Sequence, residues 1–317
     1  MNNIIDFTIF TPCYNSASTI ERTFNSILNL QYDLNKIQWL VVDNKSEDET
    51  LNIVENIKSK YLDLNIKIIA VDKNKGINNS FNLGAIHSEG TYWINLDSDD
   101  EIKENALNEF WATFKRYENN SNIARVIARC ETQYGKSVGI SNVPNESVIT
   151  LENLINRDKI SGEMFSAYKT SVIKEFLFPD NFESFINISW KWMMMSSKYD
   201  AIYIDRVLRV YYVIEGTWTT HMKKTLYVQG NVYYYQTLLD TMGNKLISIN
   251  QRVYAEYVFR YLLNAKFIDS LSSLTILNRY VVNNINKLNI IDILKCSILI
   301  ITPRILILKI KNYKVVI

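Results

Sequence analysis

Three carboxylates crowd into the four residues Asp97, Ser98, Asp99 and Asp100, directly after the apolar run YWINL. Like charges this close repel unless a cation shares the site, and an oxygen-only donor set favours Mg2+ or Mn2+ over a soft metal. The plain alternative is an acidic helix start, because Glu101 and Glu104 continue the run and acids are favoured there. A second acid, Asp43, closes the apolar run WLVVD ahead of Asn44, Lys45 and Ser46. Its carboxylate suits a nucleobase or a ribose, and equally an ordinary Asx turn. A third polar group, Thr11, Pro12, Cys13, Tyr14 and Asn15, offers backbone polar groups and one aromatic ring, enough to wrap a base. Neither a GxGxxG nor a GxxxxGK[ST] pattern accompanies them, which removes the main support for a dinucleotide-dependent dehydrogenase or a P-loop enzyme. Phosphates bound here would be held by the metal.

The elements that must position these groups are legible as runs. Phe7 to Pro12, Gln38 to Asp43, Lys67 to Val71 and Thr91 to Asp97 are rich in Ile, Val, Trp and Tyr and each ends in a polar or turn residue, the mark of buried parallel strands. Between them, Ser18 with Glu21 and Ser46 with Glu49 read as capping boxes, followed by Ile20, Phe24, Ile27 and Leu28, and by Leu51, Val54 and Ile57, at helical spacing. Gly76 to Ser88 supplies a third crossover. The fold class expected is therefore α/β with a mostly parallel central sheet, and ligands of such sheets bind at the carboxyl ends of the strands. From Ile123 the alternation loosens through IARVIARC, a polar stretch at 134–147 and a mixed segment to Tyr212. Beyond His221 the chain reads as helices with Tyr- and Leu-rich faces. The expected organisation is a catalytic domain over 1–220, with a nucleotide half at 1–130 and an acceptor half at 131–220, and a helical region over 221–317.

Composition narrows the classes further. At 317 residues, 47% apolar, with nine glycines and four prolines, the chain has the makings of a large core and not of a disordered or linker-dominated protein. A net charge of +2 gives no global field for nucleic acid. Cys13, Cys130 and Cys296 are odd in number, far apart and in no metal-ligand spacing, as in a reduced compartment, and MNNIIDFTIF lacks the basic start of a secretory leader. A cytoplasmic protein is expected. Residues 293–317 carry Lys295, Arg304, Lys309, Lys311 and Lys314 among many Ile and Leu with no acid. The clean apolar run there ends at Pro303 and Arg304, too short to span a bilayer. A peripheral helix on the inner face of an anionic membrane, an ordinary core helix and a homodimer contact all fit.

TPCYN, VVDNKSEDET and NKGINNSFNLGAIHSEGTYWINLDSDD, in that order and spacing, closely resemble family 2 glycosyltransferases of the GT-A fold, in particular those building bacterial surface polysaccharides such as capsule or O-antigen. The resemblance covers about residues 5 to 215. It implies an inverting transferase that moves a sugar from a nucleoside diphosphate donor, commonly UDP-linked, to a hydroxyl of a glycan or lipid-linked acceptor, with Mn2+ or Mg2+. By position it puts Thr11, Pro12, Tyr14, Asn15, Asp43, Lys75, Gly76, Asn82, Asp97 and Ser98 on the nucleotide sugar. Asp99 falls on the second acid of the family's DxD motif as metal ligand, with Asp100 in reserve; His221, in WTTHMKK, suits a further metal ligand and equally an exposed loop histidine. The general base falls in FPDNFESFINISWKW, at Glu183, with Asp180 and Glu163 as fallbacks.

Two positions depart from the family pattern. Ser184 stands where a second acid is frequent, and Phe81 where many members carry Arg, leaving Lys75 or Lys45 to supply that charge. Trp190 and Trp192, in the Met-rich SWKWMMM, suit a core better than a sugar platform. A nucleotidyltransferase is disfavoured because TPCYNSAST is not a Gly-rich, basic triphosphate loop. A non-catalytic nucleotide-sugar binder serving as an assembly partner is suggested by Phe81 and Ser184 and opposed by the intact DSDD.

Overall fold

Runs of β-branched and aromatic residues become strands and the periodic segments between them become helices. The structure is a computed structural model and describes residues 4–156, 159–180, 182, 184–213, 224–268 and 272–301. In chain order the elements are β1 (Phe7–Cys13), α1 (Ile20–Leu28), β2 (Ile37–Asp43), α2 (Thr50–Lys60), β3 (Asn65–Ala70), α3 (Ile77–Ile86), β4 (Tyr92–Asn95), β5 (Glu101–Ile102), α4 (Ala106–Arg116) and β6 (Ile123–Thr132). The short strands β7 (Ser137–Val138), β8 (Ile140–Ser141) and β9 (Ser147–Ile149), then α5 (Leu151–Ile155), β10 (Ile160–Ser161), β11 (Phe165–Lys169), α6 (Thr170–Glu175), α7 (Ser189–Ser196) and β12 (Asp200–Tyr211) follow. Four helices close the chain: α8 (Lys224–Ile249), α9 (Gln251–Ile268), α10 (Ser272–Tyr280) and α11 (Ile290–Ile301).

The chain forms two compact units. One comprises Met1–Asp180 with Lys198–Glu215, the other Asn181–Ser197 with Gly216–Ile317, so the division does not fall at a single point in the chain. In the first, the main sheet runs β3-β2-β1-β4-β11-β6-β12-β5. Strands β1 to β4 are mutually parallel where they pair, β11 runs antiparallel between β4 and β6, and β12 lies parallel to β6. All seven residues of β1 and of β2 are buried, as expected of central strands covered on both faces. Phe7, Ile9, Trp39, Val41, Ile94, Phe110 and Phe165 share one core with the inner faces of α1 and α4. Gly84 lets α3 lie close on β1, since a Cβ there would meet the Phe10 ring at 2.5 Å.

The two capping boxes do not form. Helix α1 starts at Ile20 behind Thr19, and α2 at Thr50 behind Glu49, neither with a side-chain cap. Ser46 instead donates its hydroxyl to Asp43 Oδ1 at 2.5 Å and accepts from Asn15 N at 2.9 Å, so the capping pattern serves a loop-to-loop tie.

In the second unit, α9 packs against α8, α10 and α11. Trp190 is buried and donates to Thr237 Oγ1 at 2.7 Å, which makes it core as its surroundings suggested. The three cysteines are buried and free, and among the described residues no helix is long and apolar enough to cross a membrane.

Candidate active site

Strand order places β1 between β2 and β4, so their crossover connections leave in opposite directions from this point. Outside the carboxyl ends of two such strands lies the crevice where open α/β sheets bind ligands. Cys13 ends β1, Asp43 ends β2, and β4 leads into Asp97-Ser98-Asp99-Asp100. β12 runs in the same sense as β4, so its end, Arg209 to Val213, reaches this edge too, as does Glu163 just before the antiparallel β11.

Helix α1 and the loop before it hold the acidic loop from one side. Ser16 and Ser98 share a hydrogen bond of 2.7 Å between hydroxyls, Arg22 Nη2 donates to Asp99 O at 2.5 Å, Thr23 Oγ1 to Asp100 O at 2.8 Å, and Ser26 Oγ accepts from Ile102 N at 3.1 Å. The Arg22 guanidinium also lies 3.6 Å over the Tyr212 ring, and Tyr212 donates its hydroxyl to Glu101 at 2.9 Å. These carbonyl and amide contacts fix the loop backbone while the carboxylates of Asp97 and Asp99 remain available.

From the other side comes Arg209, which sequence reasoning did not single out. Its side chain is only 3% exposed; Nη1 lies 3.7 Å from Asp97 Oδ2, Nε 3.4 Å from Asp100 Oδ2, and Nη2 binds Glu163 Oε1. Asp100 is the most buried acid of the loop, at 1%, and its other oxygen accepts from Tyr212 N at 2.9 Å. The Asp100 Oδ2 to Arg209 Nε approach is an ion pair without hydrogen-bond geometry, and both atoms are otherwise without a hydrogen-bond partner. Asp100 and Glu163 are thus engaged by Arg209. Asp97, 40% exposed, accepts one bond from Asn95 at 2.9 Å and keeps acceptor capacity.

Charge and burial compete at these acids. Burial pushes the Asp99 carboxyl above its ordinary value and Asp97 adds to the rise, while Arg22 and Arg209 oppose it. Burial likewise raises Asp100, against the pull of Arg209. Five carboxylates, Asp97, Asp99, Asp100, Glu101 and Glu163, face the two guanidiniums of Arg22 and Arg209, so acids outnumber cations at this edge. The excess and the oxygen-only donors fit a hard divalent ion held by Asp97 and Asp99. Among the described residues no three His, Cys, Asp or Glu converge as a protein cage. An Mg2+-type site needs none, since one or two carboxylates are normally completed by substrate phosphates and water.

The nucleotide-side residues divide by task. The Asn15 side chain accepts from Glu47 N at 2.8 Å, and Ala17 N donates to Asp48 at 3.0 Å, so the loops after β1 and β2 are tied together with Tyr14 46% exposed beside them. Asp43 is buried and both its oxygens receive Ser46, the Asx turn that the sequence left open, though a carboxylate retains further lone pairs. Thr11 is buried and its hydroxyl receives Trp39 Nε1 at 3.1 Å, and Pro12 is buried beside it, so these two support the loop and present no side chain to a ligand. Asn44 donates to Asn74 at 2.8 Å and accepts from Lys75 N, while Asn74 accepts from Gly76 N, which shapes the turn into α3. Gly76 holds φ 79 and ψ 170 with nothing within 4 Å of a built Cβ, so glycine is required there by backbone conformation alone.

Asn82 takes a different part from the one expected. It is buried, and its amide donates to Phe178 O at 2.9 Å and accepts from Phe178 N at 2.8 Å, which pins the segment after α6. Phe81 is core as well, edge-on to Phe10 at 5.3 Å and to Phe178 at 6.4 Å. Asp180 is exposed at the end of the first unit's long segment. Ser184 is buried in the second unit and donates to Gln229 at 2.8 Å. Glu183 and His221 lie outside the described residues.

Comparison with known proteins bears on this arrangement. A family model described as Glycosyl transferase family 2 matches residues 8–176. The GalNAc(5)-diNAcBac-PP-undecaprenol beta-1,3-glucosyltransferase of Campylobacter jejuni is 26% identical over 208 residues, 64% of this chain and 63% of that protein. The poly(ribitol-phosphate) beta-N-acetylglucosaminyltransferase TarP of Staphylococcus aureus is 31% identical over 172 residues, 53% of this chain and 47% of that protein. The chain therefore spans less than two thirds of these relatives. Among solved structures, S. aureus TarS in complex with UDP aligns with a TM-score of 0.62 at 17% identity, over 93% of this chain and 90% of that one. A Pyrobaculum calidifontis mannosyltransferase in complex with GDP-Man and Mn2+ aligns with a TM-score of 0.55 at 16% identity, over 92% and 86%. The likeness shows a shared fold, that of the GT-A glycosyltransferases.

Proposed function

The chain belongs to glycosyl transferase family 2, and on that premise we propose a metal-dependent, inverting sugar transfer from a UDP-sugar to an acceptor hydroxyl. The observation that carries the proposal is the pair Asp97 and Asp99, set at the crevice of the sheet with uncompensated negative charge and a backbone clamped by Arg22 and Thr23. The acceptor is a glycan or lipid-linked saccharide of a bacterial surface polysaccharide, in keeping with the undecaprenol-linked and poly(ribitol-phosphate) substrates that the relatives' names state.

In this reading the tied loops around Tyr14, Asn15 and Asp43 receive the nucleoside, with Ser98 and the Asn74 to Gly76 turn beside them. Asp99 and Asp97 would hold Mn2+ or Mg2+, with His221 as the candidate further ligand. When bound, the ion would offset the negative charge of the departing nucleoside diphosphate by several kcal/mol. Arg209 orients Asp97 and fixes Asp100 and Glu163 behind it, which gives Glu163 a positioning task in place of a base. Lys75 or Lys45 supplies the cationic contact that Phe81 does not. Glu183 takes the proton of the acceptor hydroxyl, with Asp180 as the substitute, and the oxygen attacks opposite the leaving group, inverting the anomeric centre.

The test is product analysis by NMR with a panel of UDP-sugars, for the wild type and Glu183→Gln. The expected product has the configuration opposite to the donor's, and E183Q binds UDP normally without turnover. A product of retained configuration, or an E183Q enzyme at the wild-type rate, removes the inverting assignment.

A further inference from the structure

The near-neutral charge of the chain conceals a division. Residues 279–317 carry seven basic residues (Arg279, Lys287, Lys295, Arg304, Lys309, Lys311, Lys314) and one acid, Asp292, a net +6; residues 1–278 hold the other 28 basic and 32 acidic residues, a net −4. Apolar exposure is divided in the same way. Of sixteen exposed large apolar side chains among the described residues, eight lie between Ile268 and Ile298.

Helix α11 concentrates both. At 100° per residue, Ile290, Ile291, Leu294 and Ile298 fall within a 100° arc, and all four are 52–71% exposed. On the opposite side Cys296 and Leu299 are buried, and the buried Lys266 of α9 donates to Leu299 O at 2.6 Å, so the inner face is anchored. Lys295 flanks the stripe, 63% exposed, and the preceding turn at Val282–Lys287 adds exposed Val282 and Ile285 beside Lys287. A cavity of about 620 Å³ opens at the same end of α11, against the Ile247–Arg252 corner of α8 and α9, with Arg252 and Lys295 in its lining. An apolar stripe with a basic border is the form of a helix lying in a membrane interface, and twelve residues, about 18 Å, cannot cross a hydrocarbon core of about 30 Å.

We propose that the helical unit docks on an anionic lipid surface through the exposed stripe of α11 and the Val282–Lys287 turn, with Lys287 and Lys295 at its border toward the headgroups. The docking does not depend on the sugar-transfer reading. A water-borne enzyme held in this way meets a lipid-linked acceptor at the surface where that acceptor resides.

The experiment is flotation of the full chain with phosphatidylcholine vesicles, with and without phosphatidylglycerol, at low and high salt. Two variants accompany it, I290S/L294S/I298S and a charge variant with Lys287, Lys295, Arg304 and Lys309 changed to Gln, each checked by thermal melting and by light scattering for oligomeric state. Each basic residue near an anionic surface is worth about fivefold in partition, so the charge variant should bind at least about tenfold more weakly, and salt should act in the same direction. The apolar variant should lose at least about tenfold as well. Equal binding to neutral vesicles, no binding to anionic ones, or binding that both variants retain overturns the proposal. So does a dimer that the apolar variant disperses without any effect on vesicles, which would make the stripe a contact between two copies.

Discussion

Replacing Arg209 with Met keeps most of the side chain's length and its apolar stem while removing one buried charge. Asp100, 1% exposed, would lose its ionic partner, and Asp97 and Glu163 would lose theirs in part. Breaking a buried pair by removing one partner costs about 3–5 kcal/mol, because the remaining charge is stranded. For a unit of this size each kcal/mol moves the midpoint by about 2–4 °C, so R209M should melt about 6–20 °C lower near neutral pH. The pH dependence has a defined sign. Burial already raises the Asp100 carboxyl, and without the guanidinium it rises further, so the folded state holds a proton that the unfolded state has released. Stability in R209M is therefore greatest below the unfolded value near 4 and falls as pH rises through the raised folded value. The deficit against wild type should grow above about pH 8, where the wild-type carboxyl, raised to about 8, releases its proton and the variant's does not. Removing both partners, in D100N/R209M, should recover part of the loss. Differential scanning calorimetry of the four proteins across pH completes the cycle. An R209M protein melting within about 2 °C of wild type at pH 8, or a double variant no better than R209M, would refute the reasoning that Arg209 is the buried counter-ion of the site.

Other expectations follow from the same geometry. D99N should reduce turnover by about 10²-fold or more, without lowering the melting temperature, since it removes a partly buried acid already raised by burial and by Asp97; kinetics beside calorimetry checks both. Because Asp99 is raised, the affinity for Mn2+ should weaken as pH falls from 7 toward 5, earlier than for an ordinary carboxylate, and titration calorimetry at several pH values would expose a flat profile. Asn82→Ala removes both hydrogen bonds of the buried amide to the Phe178 backbone and should cost about 1–3 kcal/mol of stability, measured by urea denaturation, with UDP affinity unchanged below the transition. Gly76→Ala should cost about 1–3 kcal/mol from its φ of 79 alone and weaken donor binding, whereas a neutral outcome would mean the turn can relax.

The first four strands were legible because their signals are local. An apolar run ending in an acid marks β2 and the strand that leads into Asp97. What escaped depends on partners distant in sequence. Arg209 sits in DRVLRVYY, where an alternating reading turns it to solvent, yet its partners are Asp97, Asp100 and Glu163. Only the structure supplies its register, which pairs Arg209 with the buried Cys130. Asn82 was placed on the donor by the family resemblance, but a residue 96 positions away takes its amide. The Ser46 and Glu49 spacing matched a capping box, and a short hydroxyl bond to Asp43 proved the stronger competitor.

The central claim is that Asp99 joins a divalent ion to a nucleoside diphosphate at the end of β4. Isothermal titration of the protein with UDP, with and without Mn2+, beside Asp99→Ala, tests it most directly. The account predicts binding that requires both the ion and Asp99. UDP binding of equal strength without Mn2+, or undiminished in D99A, or absent under every condition, would contradict it.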